Sequence, residues 1–186
     1  FTFTGSLPVA PFDSIFPCTP TARACIPQLG TANKLDILSY RQRPMHRLAY
    51  RNYGTHESLV TNQSVEAVAG IAGLRWYEVR SPNSSPVIYQ QGTFAPGATD
   101  GIHRWMGSIA MDANGNMALG YSASNATIYP SIRYTGRLAG DPLGTMPQGE
   151  GVVINGTGAQ TGSNRWGDYT SMNVDPSDDC TFWYVN

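Results

Sequence analysis

Three segments of the sequence carry side chains that could act on a sugar. Each segment precedes a serine, at Ser58, Ser108 or Ser171. The residues in front of these serines combine carboxylates, arginines and aromatic rings: His56, Glu57, Arg104, Trp105, Arg165, Trp166, Asp168 and Tyr169. Rings of Trp and Tyr stack on sugar rings, and charged groups bind hydroxyls or an acidic substituent. The pattern therefore predicts a carbohydrate site.

Different roles are predicted for the two halves of this set. Glu57 and Asp168 are the candidate acid and base of a glycoside hydrolase-like reaction, with His56 or Tyr169 as a second proton carrier or nucleophile. A second group is predicted to bind substrate: Arg104, Trp105, Arg165 and Trp166. The alternative for Trp105 and Trp166 is packing, because a residue repeated between structural units is more often architectural than catalytic.

A weak internal repeat is expected to position these residues. The second and third segments share Arg-Trp, a Gly, a Ser, an alternating apolar stretch and a closing Asp before a turn. The serines lie 50 and 63 residues apart, which is the spacing of four-stranded propeller blades with variable loops. Blades are predicted near 56-95, 104-155 and 165-186. Two or three blades cannot close a ring, so an incomplete propeller or part of a larger one is predicted.

The fold class follows from composition and alternation. The chain has 20 Gly and 13 Pro among 186 residues, which leaves little room for long helices and favours an all-β fold of antiparallel strands. Asn114-Gly115 predicts a tight hairpin turn. A calcium loop is the alternative at Asp112, Asn114 and Asn116, although the distal Glu of an EF-hand loop is missing.

Low charge restricts the partners. Only 13% of the residues are charged and the net charge is -1, so binding to nucleic acid or to a membrane surface is not expected. The histidines and cysteines have no zinc-ligand spacing, and neither a metal nor another cofactor is predicted.

The N-terminal part, residues 1-33, is predicted to be an extended connector rich in Pro and Thr, followed by propeller-like blades over residues 34-186. Cys18 and Cys25 are close enough in sequence for a small disulfide, with two reduced thiols as the alternative. Cys180 is predicted to be a buried thiol. The first residue is Phe1, which favours a piece of a longer, exported protein.

Four Asn-x-Ser/Thr sequences are candidate glycosylation sites, provided that the source glycosylates secreted proteins. They begin at Asn62, Asn83, Asn125 and Asn155.

The runs 50–60, 104–112 and 164–172 resemble the C-terminal part of a group of secreted bacterial, sialidase-like (BNR-repeat) β-propeller proteins of unsettled function. The resemblance covers the chain from about Cys18 onward, although the sialidase Asp-box is absent from all three repeats. It implies a propeller fold and secretion. Together with the residue pattern, the prediction is a secreted propeller segment that binds or processes carbohydrate. Its partners would be the remaining blades of the precursor or another subunit. The alternative is a non-catalytic glycan-recognition or structural module of an extracellular assembly.

Overall fold

The computed structural model describes residues 5–13, 22, 24–37, 43–68 and 70–186. Within these ranges the chain forms antiparallel strands and one short helix, so the all-β prediction is confirmed. The elements are β1 (Ala24–Gln28), β2 (Thr31–Asp36), β3 (Ala49–Asn52), β4 (Glu57–Val68), β5 (Ile71–Arg80), β6 (Val87–Phe94), α1 (Gly97–Asp100), β7 (His103–Met111), β8 (Met117–Asn125), β9 (Ile128–Arg137), β10 (Glu150–Ile154), β11 (Ser171–Val174) and β12 (Phe182–Val185).

The strands are arranged in two four-stranded sheets and two hairpins. The first sheet has the order β3-β4-β5-β6, and the second sheet has the order β10-β9-β8-β7. The N-terminal hairpin is β1-β2 and the C-terminal hairpin is β11-β12. Within each sheet and hairpin, strands that are consecutive in sequence are neighbours, which is the common arrangement of antiparallel strands.

The two sheets pack face to face around the larger apolar core. Its fully buried side chains come from both sheets and include Val60, Trp76, Ile109, Leu119 and Tyr121. Each such side chain contributes roughly 1.5–3 kcal/mol relative to an exposed one.

A second core lies beneath the N-terminal hairpin, where Ile26 and Leu35 pack with Trp105 and Met106. The predicted boundary at residue 33 falls inside β2 of this hairpin. Within residues 24–33, Ile26 is buried in this core, and the Leu29 N–H donates to the Ile128 carbonyl at the start of β9. The predicted division into a connector and blades stays a prediction.

Two hydrogen bonds of the same kind join the layers, each from the backbone N–H of a Met to the Oγ of a Ser. The Oγ of Ser64 accepts the Met106 N–H at 3.0 Å, which links β4 to β7. The Oγ of Ser108 accepts the Met172 N–H at 2.9 Å, which links β7 to β11. Gly107 permits the first approach, because a Cβ there would lie 2.8 Å from Oδ1 of Asn62. These hydrogen bonds therefore join the first sheet to the second sheet and the second sheet to the C-terminal hairpin.

Strand directions differ between the layers. Ser64 near the end of β4 meets Met106 near the start of β7. At the opposite end, Tyr53, which precedes β4, donates to the Asp112 carbonyl just after β7. β4 therefore runs antiparallel to β7. In the stack Ser64, and not Ser58 as the repeat predicts, has the role that Ser108 has in β7.

β11 runs parallel to β7. Thr170, just before β11, donates to the carbonyl of Met106, and the Asp179 carbonyl after β11 accepts from Ala113 after β7. The predicted repeat requires the strands of its three segments to run in the same direction. Only the strands of the second and third segments, β7 and β11, do so.

The predicted turn at Asn114-Gly115 is confirmed. Gly115 has a φ of +82°. Oδ1 of Asp112 accepts the backbone N–H groups of Asn114 and Asn116, and its Oδ2 accepts the Asn116 amide. These contacts explain the acidic turn without a metal ion.

Candidate functional site

The first two predicted catalytic residues lie at the start of β4. Oε1 of Glu57 accepts the hydroxyl of Tyr50 at 2.5 Å and the amide of Asn83 at 2.8 Å. These donors lower the pKa of Glu57, so the carboxylate is ionised near neutral pH and has no proton to donate. His56 stacks on Tyr53, with ring centroids 4.8 Å apart.

The other predicted residues of the third segment lie in the loop before β11. Arg165 forms an ion pair with Asp168, and Tyr169 is 81% exposed. Nε1 of Trp166 donates to Oγ of Ser122 at 3.0 Å. Ser122 pairs with Trp105 near the start of β7, which fixes this loop at that end of the second sheet.

Glu57 and Asp168 are therefore not brought together. Asp168 follows Gly167, which lies beside Met106 near the start of β7. Glu57 starts β4 and therefore lies near Asp112, at the end of β7, because β4 is antiparallel to β7. Six residues of strand separate these two positions, or about 20 Å at ~3.3 Å per residue. Carboxylate pairs of glycosidases lie roughly 5–10 Å apart. The strand directions thus give no support to this acid and base pair, and the catalytic role of the two residues stays a prediction.

Arg104 is buried in an ionic network. Its side chain is 1% exposed. Its Nε lies 2.5 Å from Oε2 of Glu150 and its Nη2 lies 2.7 Å from Oδ2 of Asp100. Tyr121 and Arg133 also donate to Glu150. Two carboxylates already bind the guanidinium of Arg104, so in this arrangement it is not available to bind a substrate.

Trp105 is fully buried in the second core. Its position agrees with the packing interpretation and not with a sugar platform. Trp166 packs partly against the same core.

A cleft of about 110 Å³ opens instead between the first sheet, the β7-β8 turn and the loop after β9. It contains His56 from the predicted set. Its lining residues are Tyr53, His56, Glu78, Arg80, Tyr89, Gln90, Met111, Asn114, Gly115, Arg137, Ala139 and Leu143. We call this the inter-sheet cleft.

Glu78 is the acidic residue that lines the cleft, and it is fully buried. Oε1 accepts from Ser58 at 2.8 Å and from Nε of Arg80 at 2.7 Å, and Oε2 accepts from Gln90 at 2.6 Å. These three donors fix the position of the carboxylate, and the carboxylate in turn orients Ser58, Arg80 and Gln90.

Aromatic rings form two sides of the cleft. Tyr53 stacks on His56 at an interplanar angle of 19°, and burial raises the pKa of Tyr53 to about 12. The guanidinium of Arg80 lies 3.3 Å from the ring centre of Tyr89. Stacked rings with nearby guanidinium groups can bind a flat polar ligand.

Arg137 contributes a second positive charge. It is 2% exposed, and its Nη2 donates to the carbonyl of Asp141 at 2.7 Å. Its Nε has no hydrogen-bond partner among the described residues, and no carboxylate in the described ranges forms an ion pair with it.

One sequence feature that points to this cleft lies outside the three segments of the predicted repeat. Glu78 and Arg80 follow Trp76 at alternate positions of β5. Trp76 faces the core, so strand alternation places the Glu78 side chain on that same face. A charged residue on the buried face of a strand needs partners, and it is thus a marker of a polar site.

The candidate glycosylation sites differ in accessibility. Asn62 is fully buried, so a glycan at this residue is incompatible with the packing of β4 on β7, and this prediction is corrected. Asn83 and Asn155 are exposed and Asn125 is half-buried. At these three residues glycosylation stays a prediction.

The cysteine predictions have separate outcomes. Cys18 lies outside the described residues, so its pairing with Cys25 stays a prediction. Cys180 is a free thiol and is exposed. The prediction of a buried thiol was wrong, because Cys180 belongs to the turn before β12 rather than to the strand.

Two features that would indicate other functions are absent from the part of the chain that the structure describes. This part holds no group of three His, Cys, Asp or Glu residues that could bind a metal ion. Among the same residues, no helix has the length and apolar character needed to cross a membrane.

No family model, no curated protein and no solved structure matches the chain. The resemblance to sialidase-like propeller proteins therefore stays a prediction.

Proposed function

We propose that this chain is part of a secreted, β-propeller-type protein and that it binds carbohydrate in the inter-sheet cleft without cleaving it. The observation that carries the proposal is the convergence of two aromatic groups and two guanidinium groups on one opening. Rings provide stacking surfaces, while Arg80, Arg137 and Asn114 provide donors for hydroxyl or acidic groups.

Binding is favoured over hydrolysis by the carboxylates. Glycoside hydrolysis requires a proton donor and a second carboxylate. Of the residues that line the cleft, Glu78 is the one carboxylate, and its oxygens already accept three hydrogen bonds. The small volume suits one ring edge or substituent of a glycan, since sites that enclose a whole ligand measure about 300–1,000 Å³.

The propeller-type architecture is supported by the repeated stacking of antiparallel layers. A sheet buries its apolar face by covering it with the next one. A hydrogen bond from a Met N–H to a Ser Oγ joins each layer to the next, although β4 is antiparallel and β11 is parallel to β7.

Glycan-array screening followed by calorimetry with the best ligand tests the function. We expect Tyr89→Ser to weaken binding about tenfold through lost stacking. The matched control is Tyr50→Ser, which removes a tyrosine outside the cleft that is 51% exposed, against 39% for Tyr89, and should leave binding unchanged. Chromatography of the incubated glycan should show no product.

Three results would overturn the proposal. They are the absence of any glycan ligand, equal loss of binding in the two variants, and release of a cleaved product. The last result would favour the hydrolase alternative.

A further inference from the structure

The C-terminal hairpin covers only half of the outer face of the second sheet. β11 lies on β7 through the Ser108–Met172 hydrogen bond. β12 lies on β8, where the Tyr184 ring packs on Gly120 so closely that a Cβ would come within 2.6 Å. Beyond them, Tyr134 of β9 and Val153 of β10 are 48% and 56% exposed.

A groove follows the uncovered side of β12. One part measures about 320 Å³ and is lined by Ala118, Tyr134, Val153, Met172, Phe182 and Tyr184. A neighbouring part of about 490 Å³ shares Ala118, Tyr134 and Phe182 and extends past β9 to the β7-β8 turn. The apolar part has no charged side chain in its lining, so it would not accommodate a charged ligand at low cost.

The edge of β12 beside the groove is open. β12 pairs with β11 and with no other described strand. Its four residues, Phe182 to Val185, include neither Lys nor Pro, which are the residues that commonly protect exposed edges.

The number of strands in each layer indicates which kind of ligand fits beside β12. The second sheet covers the first with four strands, and the C-terminal hairpin repeats the same hydrogen bond with only two. A strand added to β12 would lie about 4.8 Å beyond it. This is the spacing from β8 to β9, so the added strand would lie directly over Tyr134.

We propose that this edge and groove bind an extended polypeptide strand that pairs antiparallel with β12 and places uncharged apolar side chains, at every second residue, against Tyr134 and Val153. The main-chain hydrogen bonds of β12 would supply affinity, and the groove would select the side chains. This surface lies apart from the inter-sheet cleft, and the inference does not depend on carbohydrate binding.

The β12 strand of a second copy of this chain cannot be the strand that pairs with this edge. Antiparallel pairing of two β12 strands needs a two-fold axis perpendicular to the sheet. The second sheets of both copies would then occupy the same side and overlap. The strand must therefore come from a different segment.

The test uses a labelled hexapeptide of alternating Thr and Val, acetylated and amidated, titrated by fluorescence anisotropy. We expect saturable binding that Val153→Lys weakens at least tenfold. Val152→Lys, which changes a comparably exposed neighbour outside the groove, should have no such effect. Both positions are on the surface, so both variants should fold, as circular dichroism would check.

Two N-methylated peptides test the backbone contact. In a strand with Val facing the groove, the Val and Thr amides point to opposite edges. Methylation of one set should therefore abolish binding, and methylation of the other should not. No binding of the parent peptide, equal binding of both methylated forms, or equal loss in both lysine variants would overturn the proposal. Glycan binding measured with Val153→Lys should be unchanged, which separates this outcome from that of the carbohydrate proposal.

Discussion

Arg104-Trp105 and Arg165-Trp166 are the same dipeptide, each followed by Gly and Ser within six residues, yet they occupy opposite environments. Arg104 is 1% exposed and binds two carboxylates, whereas Arg165 is 47% exposed and pairs with the nearby Asp168. The first pair is part of a strand between two packed layers, and the second is in a loop on the surface. A shared motif thus gives no assurance of a shared role.

The largest contrast is expected on removal of the arginines. Arg104→Met would leave Glu150 and Asp100 without their main counter-charge, at a cost of about 3–5 kcal/mol. Arg165→Met should cost about 0–1 kcal/mol, as exposed pairs do. Urea unfolding of both variants measures the difference. Equal costs would show that the two environments are alike in solution.

The tryptophans should differ in the same direction. Trp105→Ala opens a cavity in the core and should cost about 3–5 kcal/mol. Trp166→Ala should cost about 1–2 kcal/mol, because this ring is half-buried and loses one hydrogen bond to Ser122. Thermal and urea unfolding would measure both values, and a larger cost for Trp166→Ala would contradict the comparison.

A smaller and pH-dependent effect is expected at His103, the residue before Arg104. Burial lowers its pKa to about 4, and its Nδ1 accepts the Ala72 N–H at 3.2 Å. In the unfolded chain its pKa is about 6.5, so the unfolded state binds the proton first. The stabilisation is complete above pH 6.5 and is lost as the pH falls towards 4, by about 3 kcal/mol in total.

His103→Asn provides the control, since its Oδ1 can accept the same N–H without titrating in this range. The free energy of unfolding of this variant should fall less steeply between pH 6.5 and 4 than that of the parent. Identical slopes would show that His103 is not held neutral by its surroundings. Carboxylates elsewhere contribute equally to both curves and cancel in the comparison.

Much of the local structure was predictable from the sequence. Composition and alternation indicated an all-β fold of antiparallel strands, and Asn114-Gly115 gave the turn between β7 and β8. These features depend on side-chain period and backbone preference over a few residues. The long strand β4 was not predicted as an element, because Thr61, Asn62, Gln63 and Ser64 interrupt its apolar pattern. The side chains of Asn62, Gln63 and Ser64 are buried, and Thr61 is half-buried.

The candidate site was predictable only in part. His56 was identified from its place beside Glu57, and it does line the inter-sheet cleft. Arg80 and Tyr89 lie on the adjacent strands β5 and β6, whereas Arg137 ends β9, and no local pattern relates it to the other two. The expected convergence of Glu57 with Asp168 depended on β4 and β11 having the same direction in the stack, which they do not have.

The sequence alone determined that this chain is an all-β protein of low charge with tight turns, because those properties follow from composition, alternation and a few residues with special backbone preferences. The tertiary structure decided which of two identical Arg-Trp pairs is buried, which charges meet in the cleft and which strand edge stays open. These outcomes depend on the direction and stacking of whole sheets, which are set by long-range contacts that no short segment encodes.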